Sequence, residues 1–221
     1  MARKLVSLGV LLKIGSQLYT TDGPRAVADI AALGAGIFLD LKFHDIPNTV
    51  AGAVLTATGL PGVRMVNVHA LGGRAMLEAA AQAVQAGQPL GQDRPKLLAV
   101  TILTSMNEKD MREVGISGRA QSRAVALARL AKKAGVDGVV ASASEARAIR
   151  KACGKDFLIV APGVRPAVGG GKAGKDDQAR VGTPAEAIRA GADYIVVGRP
   201  ITAAPDPPSA AQAILEELAR G

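Results

Sequence analysis

The chain has 221 residues, of which 48% are hydrophobic and only 2% aromatic, and it carries a net charge of +8. This length suits one domain with a substantial core, and a core of small aliphatic residues favours parallel strands covered by helices over a β-sandwich. The positive charge permits an anionic partner such as a phosphorylated small molecule. A nucleic-acid partner is disfavoured, because the basic residues are scattered and no aromatic residues lie among them to stack bases.

The cysteine usage and the hydropathy indicate an intracellular protein. Cys153 is the single cysteine, so the fold uses no internal disulfide, and its position before Gly154 favours a structural role. No apolar run reaches the length of a membrane span. Lys13 interrupts the apolar stretch after the basic start of the chain, which disfavours a signal peptide. We therefore expect a cytoplasmic protein without a membrane partner.

Strand and helix patterns alternate along the chain, at intervals of about 20 to 35 residues, as is typical of parallel βαβ units. Seven strands are predicted, at residues 10–14, 37–42, 63–68, 96–102, 138–141, 157–161 and 194–197. Helices are predicted at residues 24–33, 47–58, 73–85, 107–113, 119–134, from 142 or 144 onward, at 184–190, as a short turn after 198, and at 207–219.

An eight-stranded α/β barrel would need one more strand than this count. The residues before the first predicted strand are too few for a strand and a crossover helix, which together take at least about a dozen residues. We therefore expect either an incomplete barrel or a segment missing at the amino end.

The most informative stretch is residues 38–49, FLDLKFHDIPNT. Residues 37–41 read as a buried strand, and side chains alternate along a strand, so Asp40 and Lys42 point the same way, roughly 7 Å apart. Asp45 follows just past the strand end, where α/β folds bind their ligands. Because charges in a core strand are costly without a use, a functional site is favoured over a structural ion pair.

These charges suggest a chemistry. A lysine between two carboxylates is held as an ammonium, which is a poor nucleophile but can stabilise a carbanion and then protonate it. Lys13, at another strand end, adds a second cation and gives an alternating array of Lys13, Asp40, Lys42 and Asp45. The two histidines, at positions 44 and 69, do not complete a metal-ligand pattern, so no metal is expected, and each is interpreted as a hydrogen-bonded structural residue.

A phosphate site is predicted near the carboxyl end of the chain. Gly198 and Arg199 follow the last strand and precede a short helical turn, and the terminal strands of such barrels bind phosphate on backbone N–H groups. Arg165 and Gln178 are further candidates. Gln178 lies in the Gly/Lys-rich segment 166–182, which is predicted to be a mobile loop that grips the phosphate.

Residues 40–49, DLKFHDIPNT, resemble the signature of orotidine 5′-phosphate decarboxylases. Four further blocks resemble that family in the same order: NVHA at 67–70, LTS at 103–105, PGVRP at 162–166 and VGRPI at 197–201. The resemblance runs from about residue 12 to the carboxyl end. It implies a single-domain, homodimeric (β/α)8 TIM barrel over residues 1–221, a cytoplasmic lyase that converts orotidine 5′-phosphate to UMP and CO2 in pyrimidine biosynthesis without cofactor or metal.

The resemblance also implies a role for each matched residue. Lys42 is the proton donor to C6 of the pyrimidine, and Asp40 lies near the departing carboxylate, hydrogen-bonded to both lysines. Lys13 contacts the ribose and holds the array. Asp45 and Thr49 reach into the site of the neighbouring subunit, so the dimer is needed for activity.

The remaining matched residues bind the substrate. Thr104 and Ser105 resemble the residues beside the pyrimidine. The phosphate grip consists of Arg165, Gln178, Gly198 and Arg199, with the loop 166–182 closing over the substrate.

The chain departs from the family pattern at its amino end. The family begins with a strand that ends in a ribose-binding aspartate, followed by a helix, whereas residues 1–9 resemble only the end of that helix. A truncated start is favoured over a genuine short form. Two alternative functions stay open: a magnesium-dependent sugar-phosphate decarboxylase or synthase, which shares the Asp-x-Lys-x-x-Asp core but not the IPNT continuation, and an inactive phosphate-binding barrel.

Overall fold

The computed structural model describes residues 1–87, 93–165 and 182–220. Seven strands form one sheet in the order β1 to β7, and the pairs β1–β2, β2–β3, β3–β4 and β6–β7 are parallel. The strands are β1 (Leu12–Gly15), β2 (Ile37–Phe43), β3 (Val63–His69), β4 (Lys96–Val100), β5 (Gly138–Val140), β6 (Leu158–Pro162) and β7 (Tyr194–Val196). All seven predicted strands are confirmed, with ends that differ by about two residues or less, as is usual for strand boundaries.

Helices alternate with these strands. They are α1 (Ala2–Val6), α2 (Ser16–Asp22), α3 (Pro24–Ala31), α4 (Pro47–Thr58), a 3-10 turn η1 (Ala70–Gly72), α5 (Gly73–Ala86), α6 (Glu108–Glu113), α7 (Ala120–Lys133), α8 (Ala143–Cys153), α9 (Pro184–Arg189), α10 (Arg199–Thr202) and α11 (Pro207–Arg220). Four of them begin with proline at the first helical position, where its missing N–H costs nothing: α3, α4, α9 and α11. Within the described ranges, no helix has the length and hydropathy needed to cross a bilayer.

Helix α2 is one of the elements that the sequence patterns do not predict; the others are α1 and η1. The sequence of α2, SQLYTTD, buries no residue, so it has no apolar stripe from which a helix could be predicted. Glycines mark its two ends, Gly15 as the amino-terminal cap and Gly23 as the carboxyl-terminal one.

The chain forms two compact units. The first comprises Met1–Val100 with Leu130–Gly138, and its core contains the fully buried side chains Ile37, Leu39, Met76, Leu77, Leu97 and Leu98. The second comprises Thr101–Arg129 with Val139–Gly221, and its core contains Ile102, Met111, Ile149 and Ile159. The core is thus aliphatic, as the composition predicts. That residues 1–221 act as a single domain stays a prediction.

An aspartate in front of a strand anchors each unit. In the first unit, Asp137 precedes β5, accepts the N–H of Leu97 at 2.8 Å and forms a two-pronged ion pair with Arg94. In the second unit, Asp193 precedes β7, accepts the N–H of Ile159 at 2.7 Å and pairs with Arg150. Asp137 therefore links the start of β5 to the start of β4, and Asp193 links the start of β7 to the start of β6. Both contacts lie at the amino ends of these strands, away from their carboxyl ends.

Arg150 is the more extensively bonded of the two arginines. Its guanidinium donates to the carbonyl oxygens of residues 154, 155, 157 and 191 in addition to Asp193. Gly191 has a φ of +103°, and a methyl group there would lie 3.2 Å from Cβ of Arg150. The close approach and the positive φ together explain why a glycine occupies this position.

Candidate active site

Asp40 is the centre of the site in the first unit. It lies on β2 with 8% of its surface exposed, and each of its carboxylate oxygens faces one lysine. Nζ of Lys42 lies 2.7 Å from Oδ1, and Nζ of Lys13 lies 3.1 Å from Oδ2. Lys13 comes from β1, where Gly15 is the register partner of Asp40. The structure therefore brings together three of the four charges predicted for the array.

Asn67 is a fourth member that the sequence reasoning did not identify. Its side chain is fully buried near the end of β3, and its Nδ2 donates to Oδ1 of Asp40 at 2.6 Å. Its Oδ1 accepts the backbone N–H of Lys42 at 2.8 Å. The side-chain amide of Asn67 therefore holds both the carboxylate of Asp40 and the backbone of Lys42. The signal in the sequence is an amide residue between Val66 and Val68, at the start of the NVHA block.

The backbone of Lys42 adopts a left-handed conformation, with a φ of +53°, and it is the sole non-glycine residue with positive φ in the described part of the chain. That region costs an L-residue roughly 1–2 kcal/mol, and strained residues of this kind cluster at functional sites. The register between β2 and β3 also shifts between Leu39 and Phe43. The contact between Asp40 and Lys42 therefore lies where β2 is distorted, whereas the sequence predicted a regular strand.

The two lysines and Asn67 control the charge of Asp40. Burial alone would raise the pKa of this carboxyl, but the hydrogen bond from Lys42, the positive charge of Lys13 and the hydrogen bond from Asn67 outweigh it and lower the pKa below its ordinary value. Asp40 is therefore an anion at neutral pH, held between two cations.

Asp45 and Thr49 lie outside this cluster. Both are exposed, in the segment between β2 and the first turn of α4. Oδ1 of Asp45 accepts the N–H of Ile46 at 2.6 Å, and no described residue of the same chain forms an ion pair with it. The array of four charges expected from the sequence therefore contains three within one chain, because the chain turns away after Phe43. The role of Asp45 in a neighbouring subunit stays a prediction.

The two histidines stack on each other beside Lys42. Their ring centroids are 5.4 Å apart and the planes are inclined by 29°. Burial, the charge of His44 and the charge of Lys42 lower the pKa of His69. Nδ1 of His69 is buried and has no hydrogen-bond partner among the described residues, so the sequence-based reading of His69 as a hydrogen-bonded residue does not hold for this atom. Its ring is held by packing.

The predicted substrate-binding residues of the second unit that the structure describes each come shortly after a strand, which is β4, β6 or β7. Thr104 is half-buried and Ser105 is exposed, in a turn after β4. The N–H of Arg165, shortly after β6, donates to the carbonyl oxygen of Gly182 at 3.0 Å. Gly198 and Arg199 are exposed after β7, and the carbonyl oxygen of Gly198 accepts the N–H groups of residues 201 and 202. Gln178 and all of the predicted loop except Gly182 lie outside the described residues.

Metal ligands are not clustered in the described ranges. No group of three or more histidine, cysteine, aspartate or glutamate side chains within residues 1–87, 93–165 and 182–220 is placed to hold a metal ion. The polar groups that are clustered are a carboxylate, two ammonium groups and an amide, a set suited to charge stabilisation and proton transfer.

Comparison with known proteins agrees with this geometry. The family model described as "Orotidine 5'-phosphate decarboxylase / HUMPS family" matches residues 1–214. The orotidine 5′-phosphate decarboxylase of Geotalea daltonii is 54% identical over 211 residues, which cover 96% of this chain and 86% of the relative. That of Syntrophotalea carbinolica is 56% identical over 210 residues, covering 95% and 84%. The crystal structure of orotidine 5′-phosphate decarboxylase from Lactobacillus acidophilus is 40% identical, with a TM-score of 0.82, and the match covers 95% of this chain and 87% of that one.

Proposed function

Because the chain belongs to the orotidine 5′-phosphate decarboxylase / HUMPS family, we propose that it converts orotidine 5′-phosphate to UMP and CO2, a step of pyrimidine biosynthesis. Its fold is that of the (β/α)8 barrel, with seven of the eight strands among the described residues. The observation that carries the proposal is the position of Asp40 between two lysines, one per oxygen, at 2.7 and 3.1 Å. This pairing supplies a fixed ammonium beside a fixed carboxylate, as decarboxylation through a carbanion requires.

Lys42 is proposed as the acid of the reaction. When CO2 leaves, the bond between C6 and the carboxyl carbon breaks and its electron pair stays on C6 of the pyrimidine. The ammonium of Lys42 stabilises that pair and then donates a proton to C6, which leaves a neutral amine that regains a proton from solvent. The ion pair with Asp40 holds Nζ of Lys42 in place for this step.

Asp40 is proposed to orient Lys42 and to lie near the departing carboxylate. Its lowered pKa keeps it ionised when a second negative charge binds beside it. Lys13, which neutralises the other oxygen, is proposed to contact the ribose. Thr104 and Ser105 are proposed to lie beside the pyrimidine.

The phosphate is proposed to bind at Arg165, Gln178, Gly198 and Arg199, with segment 166–182 closing over it. The net charge of +8 and the exposure of Gly198 and Arg199 support an anionic ligand there. Binding energy from a phosphate remote from C6 can be used to stabilise the closed state and the transition state, so the phosphate contributes to rate as well as to affinity.

We also propose that two copies of the chain share their active sites, in the cytoplasm and without cofactor or metal. Asp45 and Thr49 are exposed, and the large apolar side chain of Ile46 between them is 67% exposed. A second copy that took Asp45 and Thr49 into its site would also cover this apolar side chain. Asp45 would then complete the array of the second copy.

The test of the proposed function is consumption of orotidine 5′-phosphate, followed by absorbance with no metal added. Wild-type turnover is expected, together with a loss of several orders of magnitude in kcat for Lys42→Ala, because the proton donor is removed. Lys133→Ala, which removes an exposed lysine of α7, is the matched control and should keep wild-type activity.

Three results would contradict the proposal. Unchanged turnover in Lys42→Ala would exclude the role given to that lysine. Complete inhibition by a chelator would favour the magnesium-dependent sugar-phosphate enzymes of the same family. Binding of UMP in calorimetry without any turnover would indicate an inactive barrel.

A further inference from the structure

His44 and His69 are the two histidines of the chain, and the fold stacks one on the other. His69 is the last residue of β3, two positions after Asn67, so both side chains leave the strand on the same face. His44 is the first residue after β2 and directly precedes Asp45. The stack therefore links the strand that fixes Asp40 to the segment that carries Asp45.

The ring of His44 has a second anchored neighbour. A methyl group on Gly72 would lie 3.3 Å from Cδ2 of His44 and would overlap Sδ of the fully buried Met76. The backbone of η1 therefore lies against both side chains. Although His44 is exposed as a residue, its ring is in contact with His69 and close to Gly72.

Residues 44–49, the 44–49 segment, have few other anchors. All six are exposed, and their hydrogen bonds among the described residues remain within the segment or run to the first turns of α4. One example is the N–H of Val50, which donates to the carbonyl oxygen of Ile46 at 3.1 Å. Residues 47–49 form the first turn of α4, which packs against β3, so the histidine stack holds the preceding part of the segment, residues 44–46, to the same strand.

We propose that His69 is a positioning residue, whose ring, stacked on His44, fixes the 44–49 segment and with it the placement of Asp45 and Thr49. This inference rests on the proposed function, in which those two residues complete the site of a second copy. A displacement of about 1 Å at a catalytic group can cost about a hundredfold in rate. The ring of His69 would thus act on the reaction without touching the substrate.

The face of the His69 ring, not a hydrogen bond of its Nδ1, carries this contact, because Nδ1 has no partner among the described residues. A phenylalanine can supply the same face within the usual range of ring separations. The titratable groups that act on His69 are His44, from the 44–49 segment, and Lys42, from β2. Both disfavour a charge on His69, which keeps its ring compatible with stacking.

The kinetic test compares His69→Ala, His69→Phe and Leu71→Ala, the last as a control that truncates an exposed side chain of η1. His69→Ala is expected to lower kcat by about a hundredfold with a much smaller change in KM, because the groups proposed to bind the phosphate are unaltered. His69→Phe is expected to stay within about threefold of the wild type, and Leu71→Ala to match it. Loss of activity in His69→Phe equal to that in His69→Ala would overturn the inference.

A spectroscopic test does not depend on turnover. With two histidines in the chain, an NMR spectrum of protein labelled at histidine contains two imidazole spin systems. In protein that is also labelled uniformly with nitrogen-15, His69→Ala should shift the ring protons of His44 and the backbone amide signals of residues 45, 46, 48 and 49, whereas Leu71→Ala should not. His44→Ala, which removes the stack from the exposed side, should reproduce the amide shifts even if His69→Ala does not fold.

The two tests separate the failure of this inference from the failure of the proposed function. A wild-type chain without turnover would contradict the function, and the amide shifts would then decide the inference alone. Wild-type shifts for residues 45–49 in both histidine variants would overturn it in either case.

Discussion

Replacing Asn67 by alanine tests whether one buried amide supports both the charge of Asp40 and the backbone of Lys42. The substitution removes a donor at 2.6 Å from the carboxylate and an acceptor at 2.8 Å from the Lys42 N–H. A hydrogen bond to a charged group contributes about 1.5–3 kcal/mol, and a buried N–H left unsatisfied costs about 1–3 kcal/mol. Allowing for partial relaxation, we expect Asn67→Ala to lower the free energy of unfolding by about 3 kcal/mol.

The same variant should also lose activity. Without its acceptor, the left-handed backbone of Lys42 loses one of the contacts that hold it at a φ of +53°. We therefore expect a decrease in kcat that exceeds any change in KM, because Lys42, the proposed proton donor, would be displaced while the proposed phosphate contacts are unaltered.

Urea denaturation followed by circular dichroism measures the stability change. The matched control is Thr56→Ala, which removes an exposed hydrogen bond to the carbonyl oxygen of Gly52 in the same unit and should change stability by less than about 0.5 kcal/mol. The reasoning is refuted if Asn67→Ala stays within about 1 kcal/mol of the wild type, since the amide would then support neither Asp40 nor Lys42.

Three other predictions concern stability. The pKa of Asp40 is lowered in the folded state, so the contribution of its charge to the free energy of unfolding is complete above the unfolded pKa of 3.8 and is lost as the pH falls through the lower folded pKa. The difference in free energy of unfolding between the wild type and Asp40→Asn can be measured by urea denaturation across pH 2 to 6. This difference should be constant at the upper end of that range and change below about pH 4. Arg150→Met should lower the free energy of unfolding by about 3 kcal/mol, because it removes the ion pair with Asp193 and the part-buried hydrogen bonds to the carbonyl oxygens of residues 157 and 191, whereas Arg147→Met, at an exposed site on the same helix, should cost less than about 0.5 kcal/mol in the same assay. Gly191→Ala should lower the melting temperature through about 1–3 kcal/mol of backbone strain, and no loss would show that the positive φ is not required.

The strands could be predicted because each is a short run of β-branched and aliphatic residues between glycines, prolines or polar residues. The fully buried side chains of Leu39, Val66 and Leu98 show the same pattern in three consecutive strands. Helix α2 could not be found in this way, since it buries nothing and its position follows from the glycines at its ends. Local patterns therefore predict the elements that build the core and miss those that do not.

The site could be predicted only in part, because several of its contacts join residues that are far apart in the sequence. Asp40 and Lys42 are close in sequence, so the two-residue period of a strand was enough to pair them. Asn67 lies 27 residues from Asp40, and Arg150 lies 43 residues from Asp193, so neither contact follows from spacing alone. The left-handed backbone of Lys42 was likewise hidden, because nothing in a run of alternating residues indicates where a strand departs from regular geometry.

The strained backbone of Lys42 and the buried amide of Asn67 are both explained if the ammonium must be oriented before the substrate binds. An ammonium can meet a developing carbanion only if its direction is set before the substrate arrives, since reorganisation during the reaction would add to the barrier. In the structure, the left-handed backbone of Lys42 accompanies a contact in which Nζ lies 2.7 Å from the carboxylate of Asp40. The cost of the distortion, roughly 1–2 kcal/mol, is of the size that the two hydrogen bonds of Asn67 can offset. Asn67 therefore stabilises the left-handed geometry of Lys42 in the folded chain.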